Sequence, residues 1–342
     1  MHSTRKSAAL LSCIAFLFLT AVSCRAKEPA RTEFALGTVC TVNLFDRGTK
    51  DAYDEIFSRL RELERILSAN AEGSNVSAIN RQAGIAPVKA EPDTLAVLTA
   101  ALAFSERTDG AFDPAIGPVV RLWNIGTDEA SVPAPADIQT ALTLVSWKDI
   151  AVDAQKGTVF LARKGMRIDL GAIAKGYAAD EVARIVARRG IKRAMIDLGG
   201  NIYAVGEKAP GTPWVIGIRD PKTSHGLAVA SLRAKNSSIV TSGIFERYFE
   251  KDGVHYHHII DPQTGYPKTN ELLSVTIVAQ SSMNADALST SAFLLGIAKG
   301  LELVSTVPGA EAIFIDRTGR ITTSPGLAGA VTVMDDRYRL AD

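Results

Sequence analysis

Between Met195 and Val278 the chain breaks into short alternating stretches, at 202–205, 214–218, 227–232, 237–241, 254–260 and 273–278, separated by Gly, Pro and Asp. A period of two sends successive side chains to opposite faces of a strand, so this spacing predicts a sheet assembled from neighbouring strands. Helical spacing lies elsewhere. It marks Ile56, Phe57, Leu60, Leu63 and Leu67 after Asp51, then Leu95, Leu98, Ala101 and Leu102 within 93–107. It returns from Ile173 to Val186 and at 284–298. Strands clustered together and helices set apart predict an α+β fold rather than regular βαβ alternation. The alternation from Phe34 to Leu44 predicts a strand over 33–45, and further strands are expected near 311–315 and 331–334. Thr158–Leu161 and Met166–Asp169 flank Lys164-Gly165, the pattern of a hairpin. The stretch from Gly126 to Ala136, rich in Pro, Ala and acidic residues, is too short to establish a domain boundary.

The start of the 342-residue chain reads as an export leader: Arg5 and Lys6, then an apolar run from Ala8 to Val22. That run is shorter than the roughly 20 residues a membrane-spanning helix needs. Ala21 and Ser23 before Cys24 resemble a relaxed bacterial lipobox. The expectation is therefore a leader over 1–23, lipidation of Cys24, a tether over 24–31, and a periplasmic protein held to a membrane by its lipid. An ordinary cysteine beyond a standard cleavage site is the alternative. Loss of the leader removes Cys13, and acylation of Cys24 leaves Cys40 without a partner, so neither a disulfide framework nor a cysteine metal site is expected. Cys40 reads as a small buried apolar residue. The net charge is +1 and the basic residues are dispersed, without the basic stripe that nucleic-acid binding requires.

Chemistry concentrates in four short patches: Asp169-Leu-Gly-Ala-Ile-Ala-Lys-Gly-Tyr177, Thr241-Ser-Gly243, His258-Ile-Ile-Asp-Pro-Gln-Thr-Gly265 and Asn284-Ala-Asp-Ala-Leu-Ser-Thr290. Asp286 and Thr290, four apart in a helical segment, share one face. Such a pair is either a solvated helix face or part of a site for a hard cation such as magnesium, which takes one or two carboxylates and fills its octahedron with other oxygens. Asp169-Leu-Gly-Ala172 and Asp197-Leu-Gly-Gly-Asn201 also read as strand ends in which glycine supplies positive φ, and Asp261-Pro-Gln-Thr-Gly265 reads as a turn. In an extended stretch Tyr256, His258 and Ile260 face one way, His255 and His257 the other.

The order and wording of these patches, with Leu36-Gly-Thr38 and Asp109-Gly-Ala-Phe-Asp-Pro114, resemble the FAD:protein FMN transferase family known as ApbE. The resemblance covers nearly all of the chain after its leader. It implies one catalytic domain over 32–340, with mixed, largely antiparallel sheets and flanking helices. It implies that Asp286, Thr290 and the backbone carbonyl of Ala172 hold Mg2+. It further implies that Leu36, Asn70, Asp169, Lys175, Ser242, His258 and Ile260 contact FAD, together with the backbone of Ala111 and Phe112 and the carboxylate of Asp113. Asp113 also reads as a helix-entry residue before Pro114, and Ser242 as either a phosphate donor or a helix cap. His258 and Asp261 are both candidate catalytic bases. One departure stands out: Leu67-Ser-Ala-Asn70 lies where many members read Met-Ser-Thr-Tyr, so Asn70 replaces an aromatic expected to stack on a ring of FAD. Leu36 stands where Met is common.

The activity this implies is magnesium-assisted cleavage of the FAD diphosphate. FMN passes to a Ser or Thr of an exported acceptor protein, such as a membrane redox subunit, or to water, giving FMN and AMP. The alternatives are a lipoprotein that stores FAD without turnover and a general solute-binding lipoprotein. A two-lobed βαβ pattern, which would favour the latter, is not apparent.

Overall fold

The computed structural model describes residues 28–223 and 226–341. The leader and Cys24 lie outside the described residues. A nine-stranded sheet runs through the molecule in the order 31–35, 38–44, 194–198, 201–205, 237–243, 272–279, 311–316, 320–323, 339–340. Every neighbouring pair in it is antiparallel except the last. The α+β expectation with largely antiparallel sheets is borne out.

Alternation along the strands decides what lies on each face. In Glu311–Asp316, Ala312 and Phe314 join the large core, whereas Ile313 and Ile315 join the second. The first face is covered by the helices Lys50–Leu67, Ala174–Arg188 and Ser282–Ser305. The other is covered by a smaller sheet of Val331–Val333, Ala228–Ala234 and Trp214–Arg219. Burying an aliphatic or aromatic side chain stabilises by about 1.5–3 kcal/mol, so the two opposed cores hold the central sheet as a rigid floor. The third core is small: Val119, Trp123, Ile138, Ala141 and Ile260, beside the hairpin of Tyr248–Lys251 and Val254–His257.

Two helices and the floor position the site. Ser282–Ser305 starts under Asp180 of the neighbouring helix, which accepts from Ser281 Oγ at 2.8 Å and from the amides of Ser282 and Met283 at 2.7 and 3.1 Å. A carboxylate at a helix N-terminus satisfies orphan amides and complements the dipole. The same helix breaks at Gly296, which has φ 79° and ψ 177°. Its second part is engaged by Glu271, whose carboxylate accepts from Ile297 N at 3.2 Å.

Three expectations need correction. The strand expected over 33–45 is a hairpin, Arg31–Ala35 with Thr38–Leu44, turned by Leu36 and Gly37 at φ 55° and 66°. Positive φ at both central residues matches the twist of antiparallel strands, and a leucine there is strained. The hairpin expected around Lys164-Gly165 does not form; Thr158–Leu161 pairs instead with Ile150–Asp153 and Val88–Lys89. Its intended partner is held elsewhere, because Asn80 clamps both backbone groups of buried Ile168 at 2.7 and 3.0 Å. Residues 254–260 are extended only to His257, and their partner strand 248–251 carried no recognised signal.

Candidate active site

Proton counting along one row of hydroxyls gives the site its chemistry. Ser289 Oγ donates to the carbonyl of Asp286 at 2.9 Å, which uses its only hydrogen. It lies 2.8 Å from Ser242 Oγ, so Ser242 must donate to it. Ser242 then has no hydrogen left for Thr290 Oγ1 at 3.2 Å, so Thr290 donates to Ser242. The hydrogen of Thr290 is thereby turned to the sheet and its lone pairs away from it, the orientation a hydroxyl needs to bind a cation. Ser242 is neither a helix cap nor an open phosphate donor; it is a buried strand residue that orients Thr290.

Asp286, one turn earlier on the same helix, is buried. Its Oδ2 accepts from Gly176 N at 2.8 Å and its Oδ1 stands 3.8 Å from Lys175 Nζ. Glycine at 176 lets the helices close: a Cβ there would come within 2.2 Å of the Ser282 carbonyl oxygen. Ala172 lies two residues before the helix Ala174–Arg188, and no hydrogen bond to its carbonyl occurs among the described residues. A carboxylate, a hydroxyl with free lone pairs and a free carbonyl fit a hard divalent cation. No cluster of three or more His, Cys, Asp or Glu suited to a metal exists among the described residues, so any such ion relies on neutral oxygens beside Asp286.

A small cavity of about 70 Å³ lies at Asp169; its lining includes Ala69, Asn70, Arg121, Asn124, Arg167 and Asp169. Asp169 both caps its turn, accepting from Gly171 N at 2.8 Å, and reaches this cavity. The cavity joins Asn70 to the Asp169 patch across 99 residues of sequence. Arg121 and Arg167 were not anticipated. Burial and the charge of Arg121 both press on the Arg167 guanidinium and lower its pKa, which makes this a place where an anion is welcome.

His258 sits at the end of the hairpin, with Nδ1 donating to the carbonyl of Arg247 at 3.2 Å and its Nε2 without a hydrogen-bond partner among the described residues. Burial, then the charges of Arg247 and Lys175, push its pKa down to about 3, so the ring is neutral. Arg247 also donates to the carbonyl of Gly37 at 3.0 Å, tying the strained Leu36 turn to the same corner. Glu246, next to Arg247 in the chain, keeps solvent-accessible surface. Desolvation raises its carboxyl to about 7, opposed by Lys175 and reinforced by Asp286. Glu246 and Arg247 went unrecognised although they follow Thr241-Ser-Gly243 by only a few residues.

Asp261 is placed differently from His258. Its Oδ2 is 2.9 Å from Lys268 Nζ and its Oδ1 accepts from Gln263 N at 2.9 Å, so both oxygens serve the turn. The Gly265 carbonyl of that turn accepts from Trp123 Nε1 at 2.7 Å. Ile260 packs in the core around Trp123. Asp113 is likewise engaged, accepting from Ala115 N at 2.7 Å and Trp147 N at 3.0 Å. The amides of Ala111 and Phe112 bond to Thr108, leaving their carbonyls for any ligand. Asp197-Leu-Gly-Gly-Asn201 is a hairpin turn, with Gly199 and Gly200 at positive φ.

An α+β scaffold that brings a buried carboxylate, a hydroxyl one helical turn away and a lysine together is the arrangement of an enzyme site for an anionic substrate. Residues 36–314 match the ApbE family. A FAD:protein FMN transferase of Treponema pallidum is 41% identical over 333 residues, covering 92% of each chain. One from Klebsiella pneumoniae is 38% identical, covering 84% of this chain and 89% of its own. Among solved structures, the ApbE protein of Thermotoga maritima superposes with a TM-score of 0.79 at 34% identity, covering 88% of this chain and 98% of its own. The H257G mutant of the Vibrio cholerae flavin transferase ApbE gives 0.78 at 27% identity over the same shares. The chain belongs to the ApbE family, and it is an enzyme.

Proposed function

We propose that the protein cleaves the diphosphate of FAD with the help of a divalent cation, magnesium by preference, and transfers FMN to a Ser or Thr hydroxyl of an acceptor protein, with water as a competing acceptor. The observation that carries this is Thr290 one turn from the buried carboxylate of Asp286, which itself stands 3.8 Å from Lys175 Nζ. A cation held by Asp286, Thr290 and the Ala172 carbonyl would supply Lewis-acid charge for the leaving phosphate.

Lys175 contributes a fixed positive charge to the diphosphate oxygens, and Arg121 and Arg167 do so for an anionic part of the ligand near Asn70. The acceptor oxygen forms a bond to the phosphorus on the riboflavin side. The bridging P–O bond breaks and its electrons leave with AMP. The acceptor's proton goes to Nε2 of His258, the nitrogen that the fold leaves free. Burial, then the charges of Arg247 and Lys175, keep that ring neutral; a bound diphosphate would offset the two charges and raise its affinity for the proton. Asp261, engaged by Lys268, holds the turn instead.

Asn70 offers no stacking face, so FAD is held about 1–3 kcal/mol less tightly than it would be over an aromatic ring, which favours release and hydrolysis. Cleavage of Cys24 from its leader and its acylation would place this chemistry at a membrane surface outside the cytoplasm, near exported acceptors; mass spectrometry of the N-terminal peptide tests that. Incubating the protein with FAD and magnesium, with and without EDTA, tests the activity. AMP formed only with free magnesium supports it, and stoichiometric bound FAD without AMP would leave a storage protein.

A further inference from the structure

On the face of the 248–257 hairpin opposite Tyr256, a second cavity of about 590 Å³ opens. Its size falls in the roughly 300–1,000 Å³ range of small-molecule sites. The floor is apolar, formed by Ile244, Leu273 and Pro267. One wall is aromatic: the rings of Phe245 and His255 lie 4.5 Å apart, and Tyr248 stacks on His255 at 4.2 Å.

The imidazoles here are committed to the fold. His255 Nε2 donates to the carbonyl of Ile244 at 2.8 Å, and His257 Nε2 to that of Lys268 at 2.9 Å. His257 Nδ1 accepts from Ile259 N at 3.3 Å. Both nitrogens of His257 are thereby used, and His255 offers the cavity the face of its ring, which packs against Phe245. Three cations line the cavity, Lys222, Lys268 and Arg317, against one carboxylate, Glu250, which stands 3.7 Å from His255. Lys268 is neutralised by Asp261. Arg317 bonds through Nε to the carbonyl of Asn270, and Lys222 stands over the Tyr338 ring; neither has a carboxylate partner among the described residues.

Two cations without a carboxylate partner among the described residues, in excess over the one carboxylate of Glu250, lie beside an aromatic wall and an apolar floor. They select a ligand that is anionic at one end and flat at the other. We propose that this cavity binds an aromatic phosphate of mononucleotide size, its phosphate held by Lys222 and Arg317 and its ring against Phe245 and His255. Guanidinium pairs with phosphate oxygens through a planar fork, and ring stacking contributes about 1–3 kcal/mol. The inference stands on this cavity alone and does not depend on the reaction proposed above.

Calorimetric titration of the full chain with AMP and, separately, with FMN tests it, inorganic phosphate being the ringless comparator. At least one of the two nucleotides should bind more tightly than inorganic phosphate. The Lys222→Ala/Arg317→Ala double variant should weaken that binding at least about tenfold, or 1.4 kcal/mol, and still turn over FAD as wild type does. Lys175→Ala should leave the binding in place. Unchanged affinity for both nucleotides in the double variant would overturn the assignment. So would equal affinity for inorganic phosphate, or loss of the binding in Lys175→Ala, which would place the ligand in the catalytic cleft.

Discussion

Replacing Gly176 by alanine separates what the helix contact does for stability from what it does for chemistry. The new Cβ would stand 2.2 Å from the Ser282 carbonyl oxygen and 2.7 Å from Asp286 Cβ, so the two helices must part. Overpacking of this kind costs about 1–3 kcal/mol, and alanine's better helix propensity offsets about 1 kcal/mol of it. The expected net loss, about 0–2 kcal/mol, leaves a domain of ordinary stability folded. The effect on turnover is larger. Parting the helices breaks the Gly176 N–H bond to Asp286 and carries Asp286 and Thr290 away from Lys175. A displacement of roughly 1 Å in a reacting constellation lowers rates on the order of 100-fold. AMP release from FAD, followed over a series of magnesium concentrations beside urea unfolding, reads both effects. The variant should be about 100-fold slower at low magnesium and recover in part as magnesium rises. A wild-type rate at every magnesium concentration, with superimposable unfolding curves, would refute the reasoning.

Asp286→Asn keeps the size and the bond to Gly176 but removes the charge; metal-dependent AMP release should fall by more than about 100-fold with little change in melting temperature, and an unaffected rate removes Asp286 from the metal site. Ser242→Ala frees Thr290 to rotate, so the magnesium concentration for half-maximal rate should rise while saturated turnover changes less; an unchanged magnesium dependence contradicts the hydroxyl order. Asn70→Tyr should make FAD co-purify, with affinity raised by about 5- to 150-fold, and unchanged flavin content counts against the stacking argument. Burial pushes His257 down to about 4 from an ordinary 6.5. The unfolded chain therefore takes up a proton that the folded one refuses, so stability is full above pH 6.5 and declines as pH falls towards 4. His258 adds to that slope. His257→Gln should remove part of it, and identical stability-versus-pH curves would rule His257 out.

Period-two and helical spacing made the α+β class legible, because burial on one face is a local property of strand and helix sequence. Long-range competition was not legible. Ile168 looks like the second strand of a hairpin until Asn80, 88 residues away, clamps its backbone. The turn at Leu36 was hidden because leucine is not a residue that advertises positive φ. In the site, the spacing of Asp286 and Thr290 carried the cation pair, but the direction of the Thr290 hydrogen depends on Ser242 from a different strand. His258 and Asp261 were equivalent candidates on paper. Their difference lies in the company they keep: Lys268 and an amide occupy Asp261, whereas one nitrogen of His258 stays free. Arg121 and Arg167 come from separate segments and meet only in the folded cavity, so no local pattern announces them.

The interruption at Gly296 bears on how this polypeptide would fare at a lipid bilayer. Ser282–Ser305 is long and apolar enough, by length and composition, to cross one. Yet the backbone turns out of its spiral at Gly296, and neither portion alone reaches the roughly 20 residues that bridge a hydrocarbon layer. Most of its greasy surface is already covered by neighbouring strands and helices. A hydropathy scan would flag this segment as a span, whereas its break and its burial make it an inner pillar of the fold that carries its reactive groups near one end.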